Sequence, residues 1–231
     1  MAVSKIQVKS LGAEVEIALK EEITSGRLQP GEFVSIIDLS RQFGTSVTPV
    51  RDAIHRLSAI GFVNVSPRKE IRVASLDARK LKNVFEIRMA LEGMAVRTAT
   101  ANIPAPELER AWGALCDAEA SYSATGNMEG LLSQDSLVHD LIIQYCENEI
   151  LVGLMRGLRD LSRWAQRTVI RSRPEAVTEA LPEHKAILEA LRSRSATEAE
   201  RALVAHLNNT LERTLPHLSH PIARTEHSTP R

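Results

Sequence analysis

Aromatic residues, glycine and cysteine are all scarce in this sequence, and neither sign of charge is in excess. Aromatics are 3% of the 231 residues and glycines number 11, a composition that points to a helix-rich chain. The two cysteines, Cys116 and Cys146, stand in neither CxxC nor any other metal-type spacing. Disulfide scaffolds and thiolate zinc sites are thereby excluded, and a reducing cytoplasm is the expected compartment. Lys and Arg (29) balance Asp and Glu (29), which rules out a uniformly basic coat protein. Nucleic-acid binding would have to come from a local patch. No stretch approaches the ~18 apolar residues of a membrane helix, and residues 1–10 lack the apolar core of an export signal. Neither export nor membrane insertion is expected. With 43% apolar and 25% charged residues the chain is ordinary globular protein, long enough for two modest domains.

Periodicity changes near residue 75, with short elements before it and long amphipathic runs after it. Residues 13–25 show a helical face (Val15, Ile17, Ala18, Ile23) closed by Gly26. A turn at Pro30-Gly31 follows, then a short helix over 36–43 stopped by Gly44, then a second over 48–59 with Pro49 in its first turn. Residues 62–65 and 71–73 alternate around 67–70, as in a small β-hairpin. Helix, helix-turn-helix and hairpin in that order make a winged helix over 1–74. A linker over 75–80 and a second domain over 81–218 follow. In that second domain, breaks at 104–106, 125–127, 147–148, 173–174, Pro182 and 194–195 leave about six helices. The last opens on a capping box, Ser195 to Glu198, and Pro216 closes it. Residues 219–231 are polar and aperiodic, the signature of a disordered tail. The fold expected is mainly α: a winged helix-turn-helix followed by an all-α bundle.

Charge is uneven in the first domain. Residues 1–40 hold four basic and six acidic residues, whereas 41–72 hold Arg41, Arg51, Arg56, Arg68, Lys69 and Arg72 against Asp52 and Glu70. Thr45, Ser46 and Thr48 add hydroxyls at the start of the second short helix. Lys, Arg and a helix N-terminus are the groups that neutralise and bind phosphates. A solvated αα-corner is the competing reading of the same residues. The motifs Arg27-Leu-Gln-Pro-Gly31, Leu39-Ser-Arg-Gln-Phe-Gly44 and Ser46-Val-Thr-Pro-Val-Arg-Asp-Ala-Ile54-His-Arg-Leu57 resemble the N-terminal domain of GntR-family transcription regulators. The resemblance implies DNA binding, with Arg51 first and Arg41, Ser46, Thr48 and Arg68 behind it. Two positions depart from the family. Val47 replaces an arginine, losing a bidentate contact with guanine. Glu70 stands where a wing-tip glycine is usual, removing the residue best suited to positive φ.

In the second domain Asp135 and His139 are one helical turn apart and leave the same face, half of a metal site. His184 and His206 sit on separate helices among apolar neighbours. Three imidazoles and a carboxylate suit a divalent ion, zinc first, with Mn, Ni or Fe also accommodated. Taken singly, each histidine is better explained as a core or surface residue than as a ligand. Phe85-Glu-Ile-Arg-Met-Ala-Leu-Glu92, Asp135-x3-His139, Asn148-x2-Leu151, Glu183-His184-x-Ala-Ile-Leu188 and His206-Leu207 are similar to the FCD ligand-binding domain of the FadR-type branch. That resemblance implies that Asp135, His139, His184 and His206 bind a divalent metal that helps hold a carboxylate effector. It also implies that Arg88 faces the effector, against a salt bridge from Arg88 to Glu92 at i, i+4. Arg156, Arg159 and Arg163 read as a solvated or interface stripe, and Trp112 and Trp164 as packing residues.

The sequence thus describes a cytoplasmic, homodimeric, non-enzymatic regulator reading a pseudo-palindromic double-stranded operator under control of a small organic acid. Two alternatives stand beside it: a regulator that senses the ion itself, and a metal-dependent hydrolase with Glu183 as base. The hydrolase lacks an HExxH or comparable signature.

Overall fold

A computed structural model describes residues 10–126, 129–173 and 175–218, without the side chains of residues 129, 132, 134, 135, 171 and 172. The expected tail over 219–231 lies outside the described residues. The chain forms two compact units, Met1–Leu76 and Asp77–Arg231.

The first unit is a winged helix. Helix α1 (Leu11–Thr24) starts at Ser10, whose Oγ accepts from the Ala13 N–H, and packs on α3. Helix α2 (Ile36–Gln42) is capped by Ser35. Gly44 then adopts φ 61°, a left-handed turn that lets the chain reverse into α3 (Val47–Ile60). Helix α3 ends at Gly61 in the same conformation (φ 85°). Strands β1 (Val63–Val65) and β2 (Ile71–Val73) pair antiparallel, Val63 opposite Val73 and Val65 opposite Ile71. Leu19, Ile23, Val50, Ile54, Leu57, Phe62 and Val73 are buried together as its core. Each large side chain so buried stabilises the unit by about 1.5–3 kcal/mol.

The hairpin tip differs from the expectation. The residue in the left-handed region is Lys69 (φ 64°), while Glu70 is extended back into the ladder. Pro67 occupies the second position of a turn closed by Lys69 N–H to Ser66 O at 2.9 Å, and the Ser66 N–H then bonds Glu70 O at 2.8 Å. The strained position therefore falls one residue earlier than Glu70, on a side chain that carries positive charge.

The second unit is all-α. It comprises α4 (Ala78–Asn102), α5 (Ala105–Thr125), α6 (Glu129–Gln144), α7 (Glu149–Ser172), the single turn α8 (Ala176–Glu179), α9 (Leu181–Arg192) and α10 (Ala196–Thr214). A 3-10 turn over Leu215–His217 follows at Pro216. Helix α10 lies along α4 and α9, and α4 also packs on α6 and α7. Asp77 caps α4 by accepting from the Lys80 N–H at 2.7 Å. The helix thus takes in residues 78–80, and the linker expected there is shorter. The break expected at Pro182 falls just before it, between α8 and α9, and Pro182 sits in the first turn of α9, where no N–H is needed. Arg194 (φ 57°) turns the chain from α9 toward α10 and donates through Nη1 to Thr100 O and Ile103 O, satisfying carbonyls at the end of α4. Ser195 caps α10 through Glu198 N–H.

The arginine stripe on α7 is also different. Arg156 and Arg163 remain accessible, but Arg159 is buried, donating to Asp140 and to Ser136 O across the junction with α6. A carbonyl and a carboxylate on the facing helix supply the partners that make its burial tolerable. Trp164 is buried and Trp112 lies under the Arg192 guanidinium.

Candidate metal centre and nucleic-acid face

Helix α4 buries one stripe, which includes Leu81, Phe85, Arg88, Glu92, Val96 and Ala99. Two ionised groups stand in the middle of it. The i, i+4 spacing stacks them, so that Arg88 Nε donates to Glu92 Oε1 at 2.7 Å. Arg88 Nη1 donates to Ser162 Oγ of α7 at 2.5 Å. The other oxygen of Glu92 accepts from Nδ1 of His139, on α6, at 2.5 Å. Burial alone pushes the Glu92 carboxyl up. The charge of Arg88, with hydrogen bonds from His139 and Arg88, outweighs it and holds the group well below the usual carboxylate range.

A second carboxylate performs the same office on the other side. Nδ1 of His206, on α10, donates to Glu183 Oε2 of α9 at 2.8 Å. Glu183 also accepts from Arg213 through both terminal nitrogens, at 2.7 and 2.8 Å, and from Asn209 at 2.8 Å. Burial again pushes the carboxyl up, and the bonds from Arg213, His206 and Asn209 bring it well below its ordinary value.

Between these carboxylates the structure brings together His139, His184 and His206, all buried, with one ligand atom from each within 4.8 Å of the others. The ring centroids of His184 and His206 are 4.5 Å apart and those of His139 and His206 5.2 Å. A neutral imidazole that donates through Nδ1 accepts through Nε2. The Nε2 atoms of His139 and His206 face one another at 3.2 Å. Two nitrogens bound to one ion at about 2.0–2.1 Å lie about 2.9–3.4 Å apart at octahedral to tetrahedral angles, so the pair fits a shared cation. The side chain of Asp135, expected as a fourth ligand, lies outside the described residues. Arg88 is placed beside the centre, and it holds both Glu92 and Ser162 there. Ser162, Asn209 and Arg213 escaped the motif reading, as did the contact between Glu92 and His139. The one available signal was a pair of charges interrupting an apolar stripe on α4.

In the first unit Ser46 is the N-cap of α3, but its hydroxyl makes no capping bond, and Ser46, Thr48 and Arg51 are exposed around that helix start. Arg41 is exposed on α2, 3.4 Å from Asp38, and Arg68 is exposed at the hairpin tip. Of the six basic residues, Arg56 is drawn to Glu16 of α1 at 2.6 Å and Arg72 donates to Gly31 O. For Arg51, Arg68 and Lys69 no ion pair is found among the described residues. These three remain as exposed cations on the helix-turn-helix and hairpin.

Comparison with known proteins agrees with both units. Residues 11–73 match the model of bacterial regulatory proteins of the gntR family, and residues 83–209 match the FCD domain. The HTH-type transcriptional regulator McbR of Escherichia coli is 30% identical over 154 residues, 67% of this chain and 69% of that one. An uncharacterized HTH-type regulator of Bacillus subtilis, YdhC, is 27% identical over 203 residues, 87% and 88% of the two chains. The solved structure of E. coli McbR/YncC superposes with a TM-score of 0.78 at 24% identity, covering 92% of this chain and all of that one, a likeness of fold. With a gntR-type DNA-binding head and an FCD domain covering most of the remainder, the chain belongs to the GntR family of transcription regulators.

Proposed function

We propose that operator affinity is controlled by a small carboxylate effector bound at a divalent metal in the FCD domain. His139, His184 and His206, with Asp135, would hold the ion, and an N/O donor set of this kind suits zinc first. The ion would supply a Lewis-acidic seat for a carboxylate. The observation that carries the reading is the 3.2 Å approach of two Nε2 atoms whose Nδ1 atoms are each tied to a carboxylate. Two ring nitrogens so placed can both direct a lone pair at one cation.

Arg51, Arg41, Ser46, Thr48 and Arg68 would meet the duplex, phosphates fixing the register and base edges the sequence. One short helix reads few base pairs, so a homodimer on a pseudo-palindromic site in the cytoplasm completes the reading. Glu183 is spent on orienting His206, held by Arg213 and Asn209, which makes it a poor base for a hydrolase.

Elemental analysis of the native protein beside Asp135→Ala and His184→Ala tests the centre. Metal in the native protein and loss in both variants is expected; equal content in all three refutes it. A thermal-shift screen of small organic acids, with and without chelator, then tests the effector, and a shift abolished by chelation is expected. The burial of all three rings favours a second reading, in which the ion itself is the signal. Operator affinity that tracks free zinc with no organic acid present would select it.

A further inference from the structure

We infer that Glu92 and Glu183 are positioning residues, a matched pair of carboxylates, each locked by its own arginine, that fix the rings of His139 and His206 with both Nε2 atoms aimed at one point. The inference rests on the metal reading above and assigns parts to residues outside the ligand set.

The two arrangements are equivalent in chemistry and separate in sequence. Glu92 of α4 takes the Nδ1–H of His139 with one oxygen and Arg88 with the other, and Ser162 holds Arg88 from behind. Glu183 of α9 takes the Nδ1–H of His206 and both arms of Arg213, with Asn209 on the same carboxylate. An ionised carboxylate only accepts, so a ring facing it must present N–H. That selects one tautomer of two and leaves Nε2 as the coordinating atom. The arginine, bonded to the same carboxylate, stops it from rotating away. Stability alone gives little reason for the two Arg and Glu pairs, because a buried ion pair is often replaceable by apolar residues without loss. Their contact with the two rings gives one. Metal-bound histidines commonly hand their second N–H to such a carboxylate, and losing it typically lowers metal affinity 10–100-fold.

The test uses full-length Glu92→Gln and Glu183→Gln, near-isosteric changes whose amides can donate as well as accept. Two readouts are taken: cobalt(II) affinity from the d–d absorption, and ring tautomers of the metal-free protein from long-range 15N correlation spectra. Each variant is expected to bind cobalt 10–100-fold more weakly than the native protein. In Glu92→Gln the His139 ring alone should lose its single Nδ1–H tautomer, and in Glu183→Gln the His206 ring alone. A purely structural role would lower the urea midpoint and leave the tautomers unchanged. Unaltered tautomers with unaltered cobalt affinity overturn the inference. A native protein that takes up no cobalt sinks the metal reading instead, while the tautomers still decide what the carboxylates do. Should Glu92→Gln fail to fold, the more accessible Glu183 decides the same question through His206.

Discussion

Arg88→Met removes one charge of a pair whose side chains are 4% and 0% exposed, and replaces it by an apolar chain of similar length. Glu92 would remain buried with only His139 to offset it. Breaking a buried pair from one side typically costs about 3–5 kcal/mol, because the remaining charge is left buried without its compensating cation. Ser162 Oγ loses its donor as well. Both tryptophans, Trp112 and Trp164, lie in the second unit, so tryptophan fluorescence follows that unit without interference from the winged helix. With a urea dependence of about 2 kcal/mol per molar, the midpoint should fall by about 1.5–2.5 M at fixed protein concentration. In Arg88→Met/Glu92→Leu neither charge is left, and most of the loss should return. A single-variant loss below about 1 kcal/mol, or a double variant as weak as the single, would show that water or another cation reaches Glu92 and would refute the burial reasoning.

Arg51→Ala should weaken operator binding by about 1–3 kcal/mol in fluorescence anisotropy at matched salt; unchanged affinity removes Arg51 from the interface. Lys69→Gly should stabilise the winged helix by up to about 1 kcal/mol in thermal denaturation, since glycine occupies the left-handed region without a Cβ penalty, and Lys69→Val should destabilise it. Acid stability follows from two carboxyls held below their ordinary value in the folded chain. Their contribution is fully present above the unfolded value near 4.5 and is lost as pH falls through the folded values. Urea midpoints of the metal-free second unit should therefore drop below about pH 4.5, and the drop should be shallower in Glu92→Gln. An equally steep decline in that variant would place the acid sensitivity elsewhere.

What could be read in the sequence was local. Gly44 and Gly61 announce the ends of α2 and α3 because no other residue takes their backbone conformation as easily. The β-hairpin is visible in the alternation on either side of Pro67, and the start of α10 in Ser195 and Glu198. The proximity of three histidines was legible only through a family resemblance, since 67 residues separate His139 from His206 and no spacing rule spans them. The contact of Glu92 with His139 remained unread for the same reason: the ring is 47 residues away, while the nearer partner Arg88 gives a complete local explanation. Arg159 misled in the opposite way. Its neighbours Arg156 and Arg163 fit a solvated stripe, and nothing in α7 discloses that α6 places a carboxylate and a carbonyl opposite this one position.

The distribution of groups around the centre bears on how a signal could leave it. Rings come from α6, α9 and α10, whereas α4 contributes no ring and joins the cluster through Glu92. Yet α4 is the helix that the chain enters directly from the winged helix: residues 74–76 alone separate β2 from the Asp77 cap. On the proposed function, an ion that fixes His139 acts on α4 through the Glu92 hydrogen bond and through the packing of α10 along α4. Glu92→Gln weakens the first route and leaves the second. With the centre saturated in metal, that variant should bind effector and yet shift operator affinity less than the native protein. If effector binding and operator response fell in the same proportion, coupling would run through packing, and Glu92 would serve only to place the ring.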